Sequence, residues 1–427
     1  MICSQLPRNI FILTSFTELK LSKPIQRALA NEQYTTPTPI QAQAIPYLLQ
    51  GRDLLGCAQT GTGKTAAFAL PILQRVSQDN SFAPAGAPCV LVLSPTRELA
   101  CQINANFKTY GRFLKVRQTV IYGGVNQRPQ VQALRRGVHI VVATPGRLLD
   151  LLNQGHIRLD KVHTLVLDEA DQMLDQGFLP DIKRIIARVP KKRQSLLFSA
   201  TLAGQIKELS KELLMDPVRV VITPPATTVD HIDQRICLVK RSDKRPLLGE
   251  MLGKPKTDRV LIFTRTKRGA DNVSKQLRLD GIKTDAIHGN KSQAFRTRAL
   301  QAFRSGRIRV LVATDVAARG IDIDGITHVI NYDMPNEPES YVHRIGRTGR
   351  AGATGIAFSF CDHTEHGSLR AIERLIRKTI PIHKEHSYHS STAPPTAGRR
   401  QKPFSGRGPS RWQAKRKRKP VRSSGRR

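Results

Sequence analysis

"DLLGCAQTGTGKTAAFAL", residues 53–70, is the stretch that decides the fold. It starts with a short apolar run typical of a buried strand, passes through a glycine-rich turn and ends in a helix-forming segment. Gly61 and Gly63 allow backbone N–H groups to close around phosphate oxygens, and the start of the helix favours the same anion. Lys64 brings a positive charge to the outer phosphates, and the Thr65 hydroxyl can hold Mg²⁺. The stretch therefore predicts a P-loop nucleotide site.

A second stretch, "HTLVLDEADQMLDQGF" (163–178), ends an apolar run in a cluster of carboxylates. Carboxylates are common in the first turn of a helix, which is one explanation for the cluster. A P-loop, however, requires a distant carboxylate for Mg²⁺ and a base for the attacking water. Asp168 is positioned for the metal and Glu169 for the water, whereas Asp175 is expected to be an ordinary solvated carboxylate.

The chain is strongly basic, with a formal net charge of +36 over 427 residues. Residues 386–427 contain 13 of the 69 Lys and Arg residues and no Asp or Glu. Because the rest of the chain still holds 56 basic residues against 33 acidic ones, the expected partner is a polyanion, with nucleic acid favoured. A ribosome-like or merely adhesive surface is the alternative.

Short apolar runs recur along the chain with helical patterns between them. The runs are CVLVLS (89–94), HIVVAT (139–144), HTLVLD (163–168), SLLFSAT (195–201), RVLIFT (259–264), IRVLVAT (308–314), HVINYD (328–333) and GIAFSF (355–360). Such strands are typical of parallel sheets covered on both faces. Since "VVATPGR" is similar to "LVATDVAARG" in the other half, we expect two related α/β domains, with ligands at the carboxyl ends of the strands.

Composition shifts mark the expected boundaries. They give an N-terminal extension (1–15), a first domain (16–222), a Pro- and Thr-rich linker (223–230), a second domain (231–382) and a basic tail (383–427). The tail composition predicts disorder, and its KRKRK run either binds RNA phosphates or only aids solubility. Six scattered cysteines and the absence of a long apolar run predict reduced thiols, no membrane span and a cytoplasmic location.

The chain resembles the DEAD-box RNA helicases, whose motifs occur here in family order. They are PTPIQ (37–41), AQTGTGKT (58–65), PTRELA (95–100), GG (123–124), TPGR (144–147), DEAD (168–171), SAT (199–201), FTRT (263–266), QAFR (293–296), ATDVAARGID (313–322) and HRIGRTGR (343–350). The segments "FTRTKRGADN" and "AIHGNKSQ" and the short basic tail are most similar to the bacterial RhlE subgroup. The resemblance implies two tandem RecA-like domains, each a parallel β-sheet flanked by helices.

The resemblance also implies ATP and Mg²⁺ as cofactors. In that arrangement Gln41 reads the adenine edge, because a carboxamide can pair with N6 and N7. Phe16 stacks on the base. The implied nucleotide-binding residues are Phe16, Gln41, Thr60, Gly61, Thr62, Gly63, Lys64, Thr65 and Asp322, of which Asp322 contacts the ribose. The implied catalytic residues are Lys64, Asp168, Glu169, Arg347 and Arg350, with Thr65 and Asp168 as metal ligands. The two arginines act as arginine fingers across the interdomain cleft.

Two further groups of residues follow from the resemblance. Asp171 and His343 couple the two domains, and Ser199 and Thr201 couple the state of ATP to strand separation through hydroxyl contacts with the nearby carboxylates. The implied RNA contacts are Thr96, Arg97, Gly124, Thr144, Gly146, Arg147, Arg265, Gln293, Arg296 and Thr314. Such a set follows the sugar-phosphate backbone, reads little sequence and favours RNA through its 2′-hydroxyls.

The expected function is RNA-dependent ATP hydrolysis that separates short RNA duplexes or remodels RNA–protein complexes. An ATP-gated RNA clamp or annealing factor is the alternative, and a DNA helicase is a third possibility. We expect a monomer that meets proteins of RNA degradation or ribosome assembly. One departure from the family is Gln33, which stands where a glycine is usual; if it ends a helix in the left-handed region, it costs about 1 kcal/mol.

Overall fold

The computed structural model describes residues 15–58, 61–79, 84–202, 204–222, 232–254, 257–318, 323, 325–349 and 354–390. Within these ranges the chain forms two α/β domains, as predicted. The N-terminal extension up to residue 14, the linker 223–230 and the tail from residue 391 onward lie outside the described residues.

Each domain is built on one parallel β-sheet. The strands are β1 Leu54–Cys57, β2 Val90–Leu93, β3 Gln118–Ile121, β4 Ile140–Ala143, β5 Thr164–Leu167, β6 Gln194–Ser199, β7 Val218–Val221, β8 Ile232–Leu238, β9 Val260–Phe263, β10 Thr284–Ile287, β11 Val310–Ala313, β12 His328–Asn331 and β13 Gly355–Cys361. The first sheet has the order β3-β4-β2-β5-β6-β1-β7 and the second has the order β10-β11-β9-β12-β13-β8. All of these pairings are parallel, so the carboxyl ends of neighbouring strands lie at one edge.

Helices connect the strands. They are α1 Lys23–Asn31, α2 Pro39–Leu49, α3 Lys64–Gln78, α4 Arg97–Tyr110, α5 Arg128–Arg135, α6 Pro145–Asn153, α7 Ala170–Asp175, α8 Leu179–Ile186, α9 Gly204–Leu213, α10 Lys244–Gly253, α11 Lys267–Leu279, α12 Gln293–Arg304, α13 Asp315–Ala318, α14 Pro338–Ile345 and α15 His366–Ile376. Short 3₁₀ turns cover Phe16–Leu19 and Arg241–Asp243. Helices pack on both faces of the first sheet, because consecutive residues Leu54 and Leu55 of β1 belong to two different apolar clusters. Among the described residues no helix has the length and apolar character needed to cross a membrane.

The sequence predicts the interior strands better than the edges. β1 and the eight apolar runs named above are strands in the structure, which confirms those predictions. The strands that the sequence did not predict are β3, β7, β8 and β10, and these four are the outer strands of the two sheets. An outer strand has a neighbour on one side only and does not need a continuous apolar run.

The second domain makes contacts beyond the predicted boundary at residue 382. Ile382 forms a parallel bridge with Ile236 of β8, and the Ser390 N–H donates to the Leu238 carbonyl. Tyr388 packs against one of the apolar clusters of this domain. Residues 383–390, which the composition assigned to the tail, therefore run along the outer strand β8. The five described cysteines are free thiols, in line with the sequence.

Gln33 has φ 58°, in the left-handed region just after α1. The adjacent Tyr34 N–H donates to the Leu29 carbonyl across the end of the helix. Gln33→Gly is expected to stabilise the first domain by about 1 kcal/mol, because glycine adopts this backbone without a Cβ clash. The urea midpoint of the full chain measures the gain, and Gln33→Ala is the control, since alanine keeps the strain. An unchanged midpoint in Gln33→Gly would contradict the argument.

Candidate nucleotide and RNA sites

The P-loop connects β1 to α3 at the carboxyl edge of the first sheet. Gly61 and Gly63 have φ 85° and 91°, so both occupy backbone that favours glycine. Gly63 directly precedes α3, which begins at Lys64. The loop thus ends at a helix N-terminus, as a phosphate site requires, and Lys64 Nζ donates back to the Ala58 carbonyl of the loop at 2.9 Å. Thr60 of the predicted set lies outside the described residues.

Gln41 connects the start of α2 to the P-loop. Its Oε1 accepts from the Thr38 N–H at 2.9 Å, and its Nε2 donates to the Gly63 carbonyl at 3.1 Å. The predicted adenine reader therefore contacts the phosphate loop itself. Phe16 is buried and stacks against Tyr34 with ring centroids 6.3 Å apart. Its stacking on a base stays a prediction.

Gly63→Ala is expected to weaken nucleotide binding about 10- to 100-fold. A Cβ at Gly63 would lie 2.4 Å from Gln41 Nε2 and 2.9 Å from Thr38 Oγ1, on a backbone with φ 91°. The loop or Gln41 must move in response, and either shift disturbs the phosphate site. Titration with a fluorescent ATP analogue measures the loss. Gly249→Ala is the matched control, because its Cβ would meet nothing within 4 Å, and equal affinities in both variants would overturn the explanation.

Two adjacent carboxylates follow β5 on the same edge of the sheet. Asp168 is 2% exposed and Glu169 is 3% exposed. Burial raises the pKa of the Asp168 carboxyl to about 7, against the opposing effect of the Lys64 ammonium, and the Glu169 charge raises it further. Glu169 has φ 51°, a left-handed backbone for a residue that is not glycine. A buried acid and a strained acid side by side are typical of a functional site.

The Asp171 carboxylate joins the DEAD segment to the SAT segment inside the first domain. Its Oδ2 accepts from the N–H groups of Ala200 and Thr201 at 3.0 and 3.1 Å. The prediction that the Ser199 and Thr201 hydroxyls bond the carboxylates is wrong at this contact, because the backbone N–H groups are the donors. The Ser199 hydroxyl instead donates to the Thr201 carbonyl at 2.7 Å. A link from Asp171 to His343 stays a prediction.

In the second domain the HRIGRTGR segment is anchored by an arginine that the sequence did not single out. Arg344 is 1% exposed and donates to both carboxylate oxygens of Asp315, at 2.5 and 2.8 Å. Its Nη1 also donates to the carbonyl of Asp333 at 2.7 Å. Arg347 is buried, and its Nε donates to the His343 carbonyl at 3.2 Å. Arg350 and Asp322 lie outside the described residues.

Six of the ten predicted RNA contacts line one cavity of about 320 Å³. They are Thr96, Arg97, Thr144, Gly146, Arg147 and Arg296. The first five belong to the first domain and Arg296 to the second, so the cavity lies between the domains. Gly124 is adjacent, because a Cβ there would overlap the Arg97 guanidinium. The cavity also includes Glu98 and Phe178, which the sequence reading did not assign.

Glu98 joins the two domains. Its Oε2 lies 2.8 Å from Arg296 Nη2, and its Oε1 accepts from Gln293 Nε2 at 2.8 Å. Glu98 and Arg296 expose only 7% and 9% of their side chains. Two predicted RNA contacts, Gln293 and Arg296, thus bind a carboxylate of the other domain. The letters PTREL contain this glutamate, but they do not indicate that it lies next to α12.

Arg265 and Thr314 lie apart from this cavity. Arg265 forms an ion pair with Glu365 and lines a second interdomain cavity of about 490 Å³ that includes Asp175 and Phe178 of the first domain. Thr314 is buried at the end of β11, where its N–H donates to the Ile287 carbonyl. The structure therefore brings most, but not all, of the predicted contacts into one place.

Comparison with known proteins agrees with this geometry. The DEAD/DEAH box helicase model matches residues 38–209, and the helicase conserved C-terminal domain model matches residues 243–352. The DEAD-box ATP-dependent RNA helicase CshA of Geobacillus kaustophilus is 45% identical over 368 residues, which cover 86% of this chain and 78% of that protein. The chain belongs to the DEAD-box ATP-dependent RNA helicase family. CshA of Bacillus subtilis is 43% identical, with 87% and 74% covered.

A solved structure relates the fold of this DEAD-box family member to a liganded state. Dbp5 of Saccharomyces cerevisiae bound to RNA and ADP BeF3 superposes with a TM-score of 0.78 at 33% identity. The match covers 86% of this chain and 95% of that one. The prediction of two tandem RecA-like domains is thereby confirmed.

Proposed function

We propose that this chain hydrolyses ATP in response to RNA and uses the cycle to separate short RNA duplexes or to remodel RNA–protein complexes. The observation that carries the proposal is the interdomain cavity, which contains predicted RNA contacts from both domains and the buried Glu98–Arg296 pair. A ligand in this cavity touches both domains and therefore favours their closed arrangement. Its differential affinity for that arrangement is what couples RNA binding to the nucleotide site.

The nucleotide site takes ATP with a divalent cation. Lys64 and the backbone of Gly61 and Gly63 would hold the phosphates, while Asp168 and Thr65 would hold Mg²⁺. A buried carboxyl whose pKa is raised suits a nearby cation, and Mg²⁺ is commonly held by one or two carboxylates together with substrate phosphates. Bound there, Mg²⁺ would neutralise charge on the phosphate oxygens.

The chain's own residues would carry out the proton transfer and charge stabilisation. Glu169 would orient the attacking water and accept its proton as the new bond to the γ-phosphorus forms and the bond to ADP breaks. Arg347 and Arg350 would stabilise the charge on the γ-phosphoryl oxygens. Arg347 is buried here, and its Nε donates to the His343 carbonyl.

The same edge of the sheet places the SAT segment one hydrogen bond from the DEAD segment. A shift of Asp171 on hydrolysis would move or break its hydrogen bonds to the backbone of residues 200–201. This contact gives the coupling role of Ser199 and Thr201 a physical basis in the backbone. Within the family the RhlE subgroup stays a prediction, while the relatives named above are CshA proteins. Protein partners, the monomeric state and a cytoplasmic location stay predictions too.

ATPase activity with and without RNA tests the function. We expect strong stimulation by RNA and weaker stimulation by DNA of the same sequence. Lys64→Ala is expected to lower ATP affinity and turnover about 10- to 100-fold, because a charged hydrogen-bond donor to phosphate is lost. Lys161→Ala removes an exposed lysine and is the matched control. Equal activity with and without RNA would reject the proposal.

A further inference from the structure

The opposite edge of the second sheet carries a basic groove that the helicase cycle does not use. The groove measures about 730 Å³ and is lined by Gly281, Ile282, Lys283, Gly306, Arg307 and Arg309. The described lining contains three cations and no carboxylate. Gly281 and Gly306 have φ 79° and 72°, and a Cβ at either would meet nothing within 4 Å, so the floor of the groove is open backbone.

The register of the sheet explains why basic residues lie side by side at this edge. Lys283 directly precedes β10, Arg309 precedes β11 and Arg259 precedes β9, and these three strands are neighbours in the order β10-β11-β9. The pairing aligns Thr284 with Val310 and Val310 with Val260. The three basic residues therefore form a row at the amino edge, spaced by the strand separation of about 4.8 Å.

The three cations that line the groove, Lys283, Arg307 and Arg309, meet neutral protein groups or solvent. Arg309 Nη2 donates to the Leu252 carbonyl at 2.6 Å, and Arg307 Nε donates to the Ser305 hydroxyl at 3.1 Å; both partners are neutral. Lys283 and Arg307 are exposed. The nearby carboxylate Asp280 forms an ion pair with Arg245 at 3.1 Å. The lining of the groove consequently presents positive charge to solvent with no carboxylate among its own residues.

We propose that this groove, formed by residues 281–283 and 306–309, binds the sugar-phosphate backbone of RNA outside the helicase cleft. Three cations that lie close together suit phosphates and read no sequence. The predicted cleft contacts Arg265 and Thr314 follow the carboxyl ends of β9 and β11, so the two sites lie at opposite ends of strands about 13 Å long. The RNA in the groove is a flanking segment of the substrate.

This inference rests on the proposed function, in which RNA is the ligand of the cleft. Two RNAs of different length distinguish binding at the cleft from binding at the groove. An extension of about 15 nucleotides spans about 50 Å even when stacked, enough to pass from one edge of the domain to the other. We therefore expect an RNA confined to the cleft to bind without the groove. A substrate with the extension is expected to bind more tightly and with a steeper salt dependence.

The test compares both RNAs in the full chain bound to a non-hydrolysable ATP analogue. Lys283→Glu/Arg307→Glu is expected to remove most of the affinity gained from the extension and to reduce the slope of log affinity against log salt by about 1.4, since each single-strand phosphate contact contributes about 0.7. Lys283→Gln/Arg307→Gln is expected to give a smaller loss in the same direction. Stimulation of the ATPase by the short RNA is expected to stay unchanged.

Lys191→Glu/Lys192→Glu is the matched control, because it makes the same charge change at exposed positions of the first domain. If this control lowers the affinity for the extended RNA as much as the groove variant does, the effect is one of overall charge and the groove proposal is wrong. An unchanged extension effect in the groove variant would also overturn it. Failure of the short RNA to stimulate the unmodified chain would instead contradict the proposed function.

Discussion

Glu169→Gln is expected to lower the single-turnover rate of RNA-stimulated ATP hydrolysis about 100- to 10,000-fold, the range that a general base contributes. An amide has nearly the same size as the carboxylate but cannot accept the proton of the attacking water. Because Glu169 is 3% exposed, bulk water cannot replace it as a base without a rearrangement of the site. Affinity for the ATP analogue is expected to change little, which separates catalysis from binding.

Glu208→Gln is the matched control for this variant. It makes the same change of glutamate to glutamine, but at an exposed position of α9. If turnover falls equally in both variants, the loss comes from the removal of a negative charge in general and not from the base. Normal turnover in Glu169→Gln, together with tight ATP binding, would show that another residue is the base.

The backbone at Glu169 supports a functional reason for this residue. A left-handed conformation costs about 1 to 2 kcal/mol for a residue with a Cβ, and φ is 51° here. A chain shaped by stability alone would favour glycine at such a position. Glu169 directly follows Asp168, whose carboxyl is influenced by the Lys64 ammonium of the P-loop, so the strained residue lies beside the site that requires a base.

How much of the fold the sequence predicts depends on the position of each strand. β5 and β11 are buried along their whole length and appear as unbroken apolar runs. β10 reads "TDAI", with a half-buried Asp285, and as an outer strand it gives no such signal. An unbroken apolar run indicates that both faces of a strand are buried. An outer strand is less completely buried, so its sequence lacks such a run.

The candidate site shows a similar division. Residues that we propose to act on a ligand through their residue type, such as Lys64 and Asp168, could be named from the sequence because phosphate and Mg²⁺ require those chemical groups. Contacts that depend on the approach of two elements could not. The Asp171 carboxylate bonds backbone N–H groups, and no side-chain pattern encodes a backbone donor. Glu98 bonds a helix nearly two hundred residues away, which only the tertiary structure reveals.

Reversing the charge of Glu98 or Arg296 is expected to reduce RNA-stimulated turnover by about two to three orders of magnitude. Both side chains are buried at the domain interface, and removing one partner of a buried ion pair costs about 3 to 5 kcal/mol. The cost falls on the closed arrangement, because each charge regains water when the domains separate. The RNA-independent ATPase rate and the unfolding midpoint are therefore expected to change much less. Arg298→Glu, an exposed reversal on the same helix α12, is the matched control.

The double variant Glu98→Arg/Arg296→Glu distinguishes an interdomain lock from an RNA contact. If Arg296 acts mainly through Glu98, the reversed pair forms again and recovers a large part of the turnover. Gln293 does not prevent this recovery, because its amide can turn so that Oε1 accepts from the new arginine in place of the Nε2 bond to Glu98. If Arg296 acts mainly on RNA phosphates, a glutamate there repels the ligand whatever stands at position 98, and the double variant stays as inactive as Arg296→Glu. A double-mutant cycle on turnover and on RNA affinity gives the coupling energy directly. A coupling near zero would remove Glu98 from the closing mechanism and leave Arg296 as an RNA contact alone.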